Sequence, residues 1–514
     1  MRMAVVGIDH DLDPVDVIAT DQTQMVLLDL LSDGLTTIDA ATMQAAPALA
    51  TRWLADDGGT TWTFDLKDGV QFSDGTPLTA ASVVSSLEHV ARKPDTLHGA
   101  RLEVISGQAE FVAGRADHIS GLEVPDERTL RITTTLPDAD LPALLGSPLY
   151  GVVKPAEAAP SDVTPVTGVP GSSAPAATAW TVGAGPFRVE GGDSSLATAS
   201  RLVRVDRGSA RLESIELVRV ADESAAFDSV RDGQADWASV PAGKPATQLG
   251  LTPPAGSNVR VETSSLGAEE FLGMNLASPT FANPQFRQAI VRAIDRTKVI
   301  SAGLPGLLPS SAVVPIDVPG SIIDPCGDPC RYGPDQSKVL LAQAFPDGQV
   351  PVVEIDTSDG LGDVAAANSV RDQLVAVGIP AEVKSMPFAE YQTFVTTGNE
   401  QLFRTGWVGL APSAGAYLGP LFRSNSLDNL TAFSAPDIDA ELAAAAAEPD
   451  ADKRNEAYGV IEQAILGLTP IVPLGSYRSA VALSAGVRDY VAKLDGTFDI
   501  ARVWMDSAVT PTTG

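Results

Sequence analysis

The residues best suited to chemistry in this chain of 514 residues are few and widely spaced. All four histidines lie at or before His118, which leaves little supply of general bases. The motifs G-x-S-x-G, H-E-x-x-H, G-x-G-x-x-G and the P-loop are missing, and GAGPFRVE offers only G-x-G. Paired-acid hydrolysis stays open among 65 acidic residues, although such pairs are mostly solvated surface. The sequence gives no positive indication of an enzyme, a catalytic residue or a cofactor.

The two cysteines, Cys326 and Cys330, stand close together in DPCGDPCRYG. Two thiols with no histidine nearby cannot supply the four ligands of a structural metal site, so no metal is predicted. A cytosolic redox pair is normally C-x-x-C at the start of a helix. The spacing therefore favours a small disulfide and an oxidising compartment, and two free thiols in a loop are the alternative.

The stretch RTGWVGLAPSAG, residues 404–415, combines a charge with an aromatic ring. Arg404 and Trp407 stand there in a run of Gly, Ala, Pro and Ser without any other charge. The indole offers a flat face for stacking and one hydrogen-bond donor. The composition indicates either the wall of a ligand site, or a loop in which Trp407 packs into the core and Arg404 forms an ion pair.

The charge of the chain excludes several classes of partner. With 35 Lys and Arg against 65 Asp and Glu, the formal net charge is −30. So acidic a surface repels phosphate backbones and anionic lipid, and nucleic acid is not expected as a partner. Only nine of the cations are lysine, which with abundant alanine is typical of GC-rich genomes such as those of actinobacteria.

The sequence contains no run of about 18 apolar residues, the length needed to span a membrane. Its N-terminus, MRMAVVGIDHDLDPVD, turns acidic early and lacks the apolar segment of a signal peptide. We therefore expect either a cytosolic protein or a mature form whose export signal has been removed.

Short strands and helices are predicted in the first third of the chain, beginning with a strand at Met3–Ile8 and a helix around Asp21–Leu31. Alternating Trp62, Phe64 and Leu66 predict a strand. The turn at Asp68-Gly69 predicts that a short second strand follows and pairs with it as a hairpin. Thr79 is expected to cap the next helix. A second hairpin follows in GLEVPDERTLRITTT, and the Pro-, Ser-, Thr- and Ala-rich residues 156–182 predict a surface loop or linker.

From about residue 271 strands alternate with helices. Asn283 as N-cap and Pro284 at the first helical position start a helix whose apolar residues form one stripe. Further helices are predicted at 336–345, 364–377 and 452–468, with strand-like runs in VPVVEID, IPAEVKSM and PIVPLGS between them. Alternation of this kind is typical of α/β lobes with parallel sheet.

A series of landmarks in a fixed order covers nearly the whole chain: LLSDGLTTID, APALATRWLADDGGTTWTFDLKDGVQFSDGTPLTAASV, GVVKPAEA, GAGPFRV, VRDGQADW, FLGMNLASPTFANPQFRQAIVRAIDRTKVI, SKVLLAQAFPDG and DKRNEAYGVIEQAILGLTPIVPL. Together with the Trp407 stretch, this series resembles the family 5 extracellular solute-binding proteins. These are the dipeptide- and oligopeptide-binding components of ABC importers.

The resemblance implies an α/β, bilobed periplasmic-binding-protein-like fold (type II, class C) with mixed sheets and hinged lobes. Lobe I would comprise residues 1–34, 183–272 and 472–514, an extra domain would be inserted at 35–182, and lobe II would span 273–471. A peptide or peptide-like solute would lie between the lobes and pass to the permease subunits. The resemblance further implies a monomer that is exported and lipid-anchored on the outer face of the cell membrane.

The resemblance also assigns ligand contacts. In relatives the arginine at the position of Arg404 meets the peptide carboxylate, and an aspartate three residues after the tryptophan holds the α-ammonium. This chain has Leu410 at the latter position. The other residues expected to contact ligand are Trp407, Gly406, Val408, Gly409, Leu410, Asn275 and Tyr417, with core packing as the alternative for Tyr417.

The departure at Leu410 leaves two interpretations open, because a buried ammonium without a counter-charge costs several kcal/mol. The missing charge is supplied by Glu269, Glu270 or Asp428, or the ligand has no free amine and is a sugar, a blocked peptide, a glycopeptide or a lipid-linked headgroup. Two further alternatives are an oligosaccharide-binding protein of this fold and a lipoprotein regulator of cell-envelope assembly without a transporter.

Overall fold

The computed structural model describes residues 1–8, 12–94, 96–154, 182–191, 196–205, 210–240 and 259–506. The loop predicted at 156–182 lies outside these ranges apart from its last residue. The strands of the described ranges are β1 (Arg2–Val6), β2 (Thr36–Ile38), β3 (Ala45–Pro47), β4 (Ala50–Ala55), β5 (Thr61–Leu66), β6 (Leu122–Asp126), β7 (Thr129–Thr133), β8 (Phe187–Val189), β9 (Arg201–Arg204), β10 (Ser214–Val220), β11 (Trp237–Val240), β12 (Val259–Met274), β13 (Leu308–Pro309), β14 (Val353–Ser358), β15 (Ala381–Met386), β16 (Leu402–Val408), β17 (Ile471–Ser484), β18 (Val487–Arg488) and β19 (Trp504–Met505).

The α-helices of the same ranges are α1 (Gln22–Leu31), α2 (Ala80–Ala91), α3 (Leu97–Arg101), α4 (Gln108–Val112), α5 (Leu141–Leu144), α6 (Glu223–Arg231), α7 (Pro284–Ala293), α8 (Arg296–Gly303), α9 (Pro334–Ala344), α10 (Leu361–Ala376), α11 (Phe388–Phe394), α12 (Gly415–Phe422), α13 (Pro436–Ala447) and α14 (Ala451–Gly467). Short 3-10 turns lie at Pro14–Asp16, Leu102–Val104, Pro148–Tyr150, Pro279–Phe281 and Asp328–Cys330.

A single mixed sheet runs through the molecule in the order β15-β14-β16-β12-β17-β11-β1-β10-β9-β8, with β13 paired to β17. Its two central strands, β12 and β17, are antiparallel and long enough to serve both halves. On one side of them lie β8–β11 and β1, which we call lobe I. On the other side lie β13–β16 with α7–α14, which we call lobe II. The predicted α/β fold with mixed sheets is confirmed.

The two central strands change partners halfway along their length. The first part of β12 pairs only with β17, and after an irregularity between Ser265 and Glu269 it also pairs with β16. The last part of β17 pairs with β11. The lobes are thus joined inside these strands, around 265–269 and 476–480, whereas the sequence-based boundaries at 272/273 and 471/472 fall near the strand ends.

A separate four-stranded antiparallel sheet, in the order β4-β5-β7-β6, belongs to what we call the inserted domain, which also contains α2–α5. Its core is continuous with that of lobe I: Met3, Phe64, Leu130 and Phe187 belong to one buried cluster. Lobe II has a core cluster of its own. Because of this shared core, we call lobe I with the inserted domain one body and lobe II the other.

One predicted hairpin is wrong. The turn at Asp68-Gly69 exists, with Gly69 at φ +66°, but no strand returns along β5 after it. Both edges of β5 are already taken by β4 and β7, so the following residues form only an isolated bridge between Gln71 and Pro77. A local turn signal cannot report that distant strands occupy the sheet positions beside it.

The predicted helix starts are confirmed at three places. Asp21, Thr79 and Asn283 are the N-cap residues of α1, α2 and α7. The Asp21 carboxylate accepts a hydrogen bond from Gln24 N–H at 3.0 Å, and the Asn283 side-chain oxygen accepts one from Gln285 N–H at 2.9 Å. These polar side chains satisfy amide groups that the first turn of a helix leaves without partners.

Cys326 and Cys330 are joined in a disulfide, and both are buried in the core of lobe II. The nearby Arg292 pairs with Asp328, and Arg296 donates to the carbonyl of Cys330 at 2.9 Å. Among the residues that the structure describes, none belongs to a helix long and apolar enough to cross a bilayer.

Candidate functional site: the crevice between the lobes

Strand direction defines one crevice between the lobes. In lobe I, β11 is antiparallel to β17, and its last residue, Val240, pairs with Ala480. In lobe II, β16 is antiparallel to β12, and its last residue, Val408, pairs with Ala268. The parallel strands beside β11 and β16 run the same way, so the carboxyl ends of both lobes point toward the central crossing. Open α/β sheets bind ligands at such edges.

A cavity of about 430 Å³ opens at this edge of lobe I. Its lining mixes apolar groups with hydroxyl, amide and acidic side chains: Val6, Gly7, Ile18, Thr20, Asp21, Gln22, Thr23, Glu223, Ser239, Val240, Leu266 and Ser479. Ser479 belongs to β17, and its hydroxyl lies 2.7 Å from that of Ser264 on β12. The cavity therefore reaches the two strands that connect the lobes, and its volume suits a small-molecule or peptide-sized guest.

Arg404 lies on β16 at the centre of a polar network. Its Nη1 donates to Glu270 Oε1, and its Nη2 donates to Asp363 Oδ1 at 2.8 Å. The Tyr477 hydroxyl donates to the other Glu270 oxygen at 2.7 Å, and the Tyr391 hydroxyl donates to the Arg404 carbonyl at 2.6 Å. Burial acts to lower the pKa of Arg404, but the two carboxylates outweigh it and raise that pKa. The guanidinium is charged and already paired inside the protein.

Trp407 lies on the opposite face of β16, because residues three apart on a strand point to opposite sides. Its indole N–H donates to the Ala416 carbonyl at 2.8 Å, and the residue is only 8 % exposed. The guanidinium of Arg101, which ends α3 of the inserted domain, lies over the ring at 4.9 Å from its centroid. Arg404 and Trp407 therefore do not form one continuous wall: the first faces Glu270 and the second faces the inserted domain.

A second cavity, of about 170 Å³, lies beside Trp407 in lobe II. Its lining is mainly aromatic and aliphatic, with one carboxylate: Phe271, Thr396, Phe403, Thr405, Gly406, Trp407, Leu421, Phe422, Leu427, Asp428, Leu430 and Thr431. Asp428 forms an ion pair with Arg101. The cavity is thus bounded by two residues, Trp407 and Asp428, that both contact the inserted domain through the same arginine.

The residues that follow Trp407 lead into the other body. Gly409 N–H donates to the Gly267 carbonyl at 2.9 Å, and Leu410 packs in the core cluster of lobe I. Gly406 is exposed, and a Cβ there would lie 3.0 Å from Glu270 Oε2, while Val408 is half-buried. Among these predicted ligand contacts, Gly406 leaves its backbone open, whereas Leu410 is buried against the protein.

Asn275 and Tyr417 use their polar groups inside the protein. The side-chain amide of Asn275 donates to the carbonyls of Gly398 and Glu400, each at 3.0 Å, and its oxygen accepts from Ala277 N–H. The hydroxyl of Tyr417 donates to the Gly267 carbonyl at 2.9 Å. Both residues are buried. Tyr417 bonds at the junction of the lobes, whereas Asn275 lies beyond the end of β12 and bonds within lobe II.

The three carboxylates considered as substitutes for the missing family aspartate differ in availability. Glu270 is held by Arg404, and Asp428 is held by Arg101. Glu269 is buried, its Oε1 accepts from the Ser476 hydroxyl, and burial raises its pKa well above the ordinary value. Of the three, only Asp428 lines either of the two cavities described above.

A second contact joins the inserted domain to lobe II. Asp140 accepts from the Ser413 hydroxyl and pairs with Arg454 at 3.1 Å. Beside it, Ala139 N–H donates to the Ala446 carbonyl at 2.9 Å. These contacts, like those of Arg101, lie across the gap between the two bodies.

Sequence reasoning missed several residues of the site, above all Arg101, Asp363 and Tyr477. No local motif marks them, since each is brought to the crevice by pairing or packing between distant segments. Within the described ranges, no three His, Cys, Asp or Glu side chains come close enough together to hold a metal ion.

Known proteins are similar to this chain over most of its length. The sequence profile of the bacterial extracellular solute-binding proteins, family 5 (middle), matches residues 44–429. The glutathione-binding protein GsiB of Salmonella typhi is 25 % identical over 481 residues, which are 90 % of this chain and 86 % of that protein.

Two solved structures are similar over nearly their full length. The Escherichia coli murein tripeptide binding protein MppA matches with a TM-score of 0.68 and 21 % identity over 98 % of each chain. The Haemophilus influenzae OppA complex with the peptide RPPGFSPFR matches with a TM-score of 0.67 and 18 % identity over 98 % of this chain and 99 % of that one. At these identities the likeness extends to the bilobed fold.

Proposed function

This chain belongs to family 5 of the bacterial extracellular solute-binding proteins, and from that premise we propose that it is the receptor of an ABC importer. It binds a peptide or peptide-like solute between its two lobes and delivers the solute to the permease. The observation that carries this proposal is the convergence of the carboxyl ends of both lobes on one crevice, with a cavity of about 430 Å³ at its lobe I edge. The peptide and glutathione ligands named for similar proteins support it.

The mechanism is a population shift. A solute that touches both lobes favours the closed arrangement over the open one by its differential affinity for the two. Contacts such as Asp140 with Arg454 already join the two bodies. The permease then recognises the closed form, and no bond of the solute is made or broken.

Binding is expected to rest on backbone groups and aromatic faces more than on a free arginine. Arg404 is paired with two carboxylates, so its role is to hold the crevice wall and to orient Asp363. The exposed backbone around Gly406 is proposed to contact the ligand independently of ligand side chains. Such contacts give affinity for many sequences.

One observation favours a second candidate function, the binding of a ligand without a free amine. Leu410, which the family resemblance places where relatives carry an ammonium-binding aspartate, is packed in the core of the other body. A blocked peptide, a glycopeptide or an oligosaccharide would need no carboxylate there. A regulatory lipoprotein of cell-envelope assembly is the remaining alternative, and a native operon without permease and ATPase genes would favour it.

Mass spectrometry of solutes that copurify with the protein, followed by calorimetry with that class of solute, tests these alternatives. We expect affinity for di- to pentapeptides. Affinity for a glycan with none for any peptide would overturn the main proposal, and turnover of any ligand would contradict a role limited to binding.

The finer features of the receptor are proposals as well. We expect an exported monomer held by a lipid anchor on the outer face of the membrane of an actinobacterium. The mass of the protein isolated from its native membrane, and its molar mass in solution, test these points directly.

A further inference from the structure

The guanidinium of Arg101 occupies a position that a ligand could use. It crosses from the inserted domain to lobe II, forms an ion pair with Asp428 and covers the Trp407 ring at 4.9 Å. A carboxylate beside an aromatic face is a favourable site for a cation, because ion pairing and cation–π attraction then act on the same group. Both residues line the cavity of about 170 Å³, and Arg101 meets the cavity through its contacts with these two residues.

The guanidinium of Arg101 does not use all of its hydrogen-bond donors at this position. Its side chain is 11 % exposed, yet among the described residues its Nε has no hydrogen-bond partner. Burial lowers the pKa of Arg101, and the positive charge of Arg423 acts in the same direction. A guanidinium held by one partly exposed carboxylate loses less on leaving its site than a guanidinium held by two carboxylates.

Arg404 provides the contrast. Its Nε likewise has no hydrogen-bond partner among the described residues, but Arg404 donates to two different carboxylates, and those carboxylates raise its pKa. Removing Arg404 would leave Glu270 buried and unpaired, since Glu270 is only 4 % exposed. Asp428, at 28 % exposed, loses less when Arg101 departs. Of the two guanidinium groups around β16, Arg101 is therefore the one that can be displaced.

The cavity behind this contact is large enough for a ligand group. Its volume of about 170 Å³ compares with roughly 150 Å³ for an apolar cavity that accepts benzene. The walls at Phe271, Phe403 and Phe422 are aromatic. A group that enters past Trp407 can bury an apolar body in the cavity and leave a positive charge beside Asp428.

We propose that Trp407, Asp428 and the adjoining cavity bind a positively charged group with an apolar body on the ligand, and that Arg101 fills the charged half of this site until the ligand displaces it. This inference rests on the proposed solute-binding function and names the chemistry of the solute. It also identifies the carboxylate that replaces the aspartate missing at Leu410.

Displacement links the ligand to the contact between the bodies. Arg101 stands where the cation of the ligand would bind, and it joins the inserted domain to lobe II. A cationic ligand takes over Asp428 and Trp407, so that only ligands able to replace both contacts of Arg101 bind tightly. Neutral ligands of the same shape leave Arg101 in place.

The test uses small probes, so that it does not depend on the identity of the natural solute. Benzylammonium and its neutral counterpart benzyl alcohol are titrated into the full chain and into Arg101→Ala, with Trp fluorescence and calorimetry as readouts. We expect Arg101→Ala to bind benzylammonium about tenfold or more tightly than the wild type does, because the competing cation is gone. The affinity for benzyl alcohol should change by less than about threefold.

The matched control is the double variant Arg101→Ala/Asp428→Asn, which should lose the gain in benzylammonium affinity. Arg101→Gln, which keeps most of the side-chain volume, serves if the alanine variant does not fold, and thermal unfolding of each variant checks this. Equal or weaker benzylammonium binding after removal of Arg101 would overturn the proposal. Failure of all peptides in the calorimetric panel, with the probe result intact, would instead overturn the proposed solute class.

Discussion

Arg404 and Glu270 form an ion pair across the neighbouring strands β16 and β12, with Glu270 only 4 % exposed and Arg404 20 % exposed. Burial raises the pKa of Glu270 even with this partner present. The pair lies where β12 gains β16 as its second neighbour, so it helps hold the wall of lobe II in register. Arg404, which the family resemblance predicts to bind ligand, is thus paired with a carboxylate of the protein itself.

Replacing Arg404 by methionine is expected to destabilise the protein by about 3–5 kcal/mol, because Glu270 would stay buried without its counter-charge. Urea unfolding monitored by circular dichroism measures the change in the free energy of unfolding. The double variant Arg404→Met/Glu270→Gln should recover at least about half of the loss, because the uncompensated charge is then removed.

Arg128→Met is the control, because the pair of Arg128 with Asp68 is largely exposed. Its effect should stay within about 0.5 kcal/mol. A loss below about 1 kcal/mol for Arg404→Met would contradict a structural role for that arginine.

Much of the fold could be predicted because its signals are local. The N-caps Asp21, Thr79 and Asn283 and the alternation of helices with strands after residue 271 depend on neighbours in sequence, and the structure contains them. The landmarks of the family also carry information about order along the chain. These features are fixed before any distant contact forms.

The site itself depends on contacts that the sequence pattern does not contain. The stretch from Arg404 to Val408 is a strand, so that Arg404 and Trp407 point to opposite faces, whereas a loop would have allowed both to face one ligand. Further along the chain, Gly415–Phe422 form α12, with Pro420 inside the helix. Arg101 reaches Trp407 only through packing of the inserted domain on lobe II.

Substituting Leu410 tests the meaning of the missing aspartate. If position 410 faces the ligand's amino terminus, Leu410→Asp should increase the preference for a free peptide amine over its N-acetylated form about tenfold or more relative to Leu410→Asn, because only the aspartate adds a negative charge at this position. Calorimetry with one peptide in both forms gives the ratio. Equal ratios in the two variants would show that position 410 does not face the ligand's amino terminus.

The disulfide is expected to contribute about 2 kcal/mol to the free energy of unfolding, since it closes a loop of only a few residues. The double variant Cys326→Ala/Cys330→Ala should lose that amount in denaturant unfolding. Ligand affinity should stay unchanged, because neither cysteine lines either of the two cavities described above. A reductant should lower the free energy of unfolding of the wild type and leave that of the double variant unchanged. A decrease in both proteins would mean that the reductant acts elsewhere than on this disulfide.

The pH dependence of stability has an identifiable source in Glu462 on α14. Burial raises the pKa of Glu462 to about 7, although the amides of Val313 and Val314 donate to one of its oxygens. Because the folded-state pKa lies above the unfolded one, the native state binds more protons between about pH 4.5 and 7. The contribution of this group to stability is therefore full at acidic pH and is lost as the pH rises through about 7.

Glu462→Gln should stabilise the protein at pH 8 by on the order of 1–3 kcal/mol and make no gain at pH 4.5, since the amide keeps an oxygen for the two N–H groups and carries no charge. Denaturant unfolding across this pH range measures the slope. Glu456→Gln, an exposed change on the same helix, is the matched control and should follow the wild type at every pH. A slope unchanged by Glu462→Gln would mean that this carboxyl group ionises in the folded protein without loss of stability.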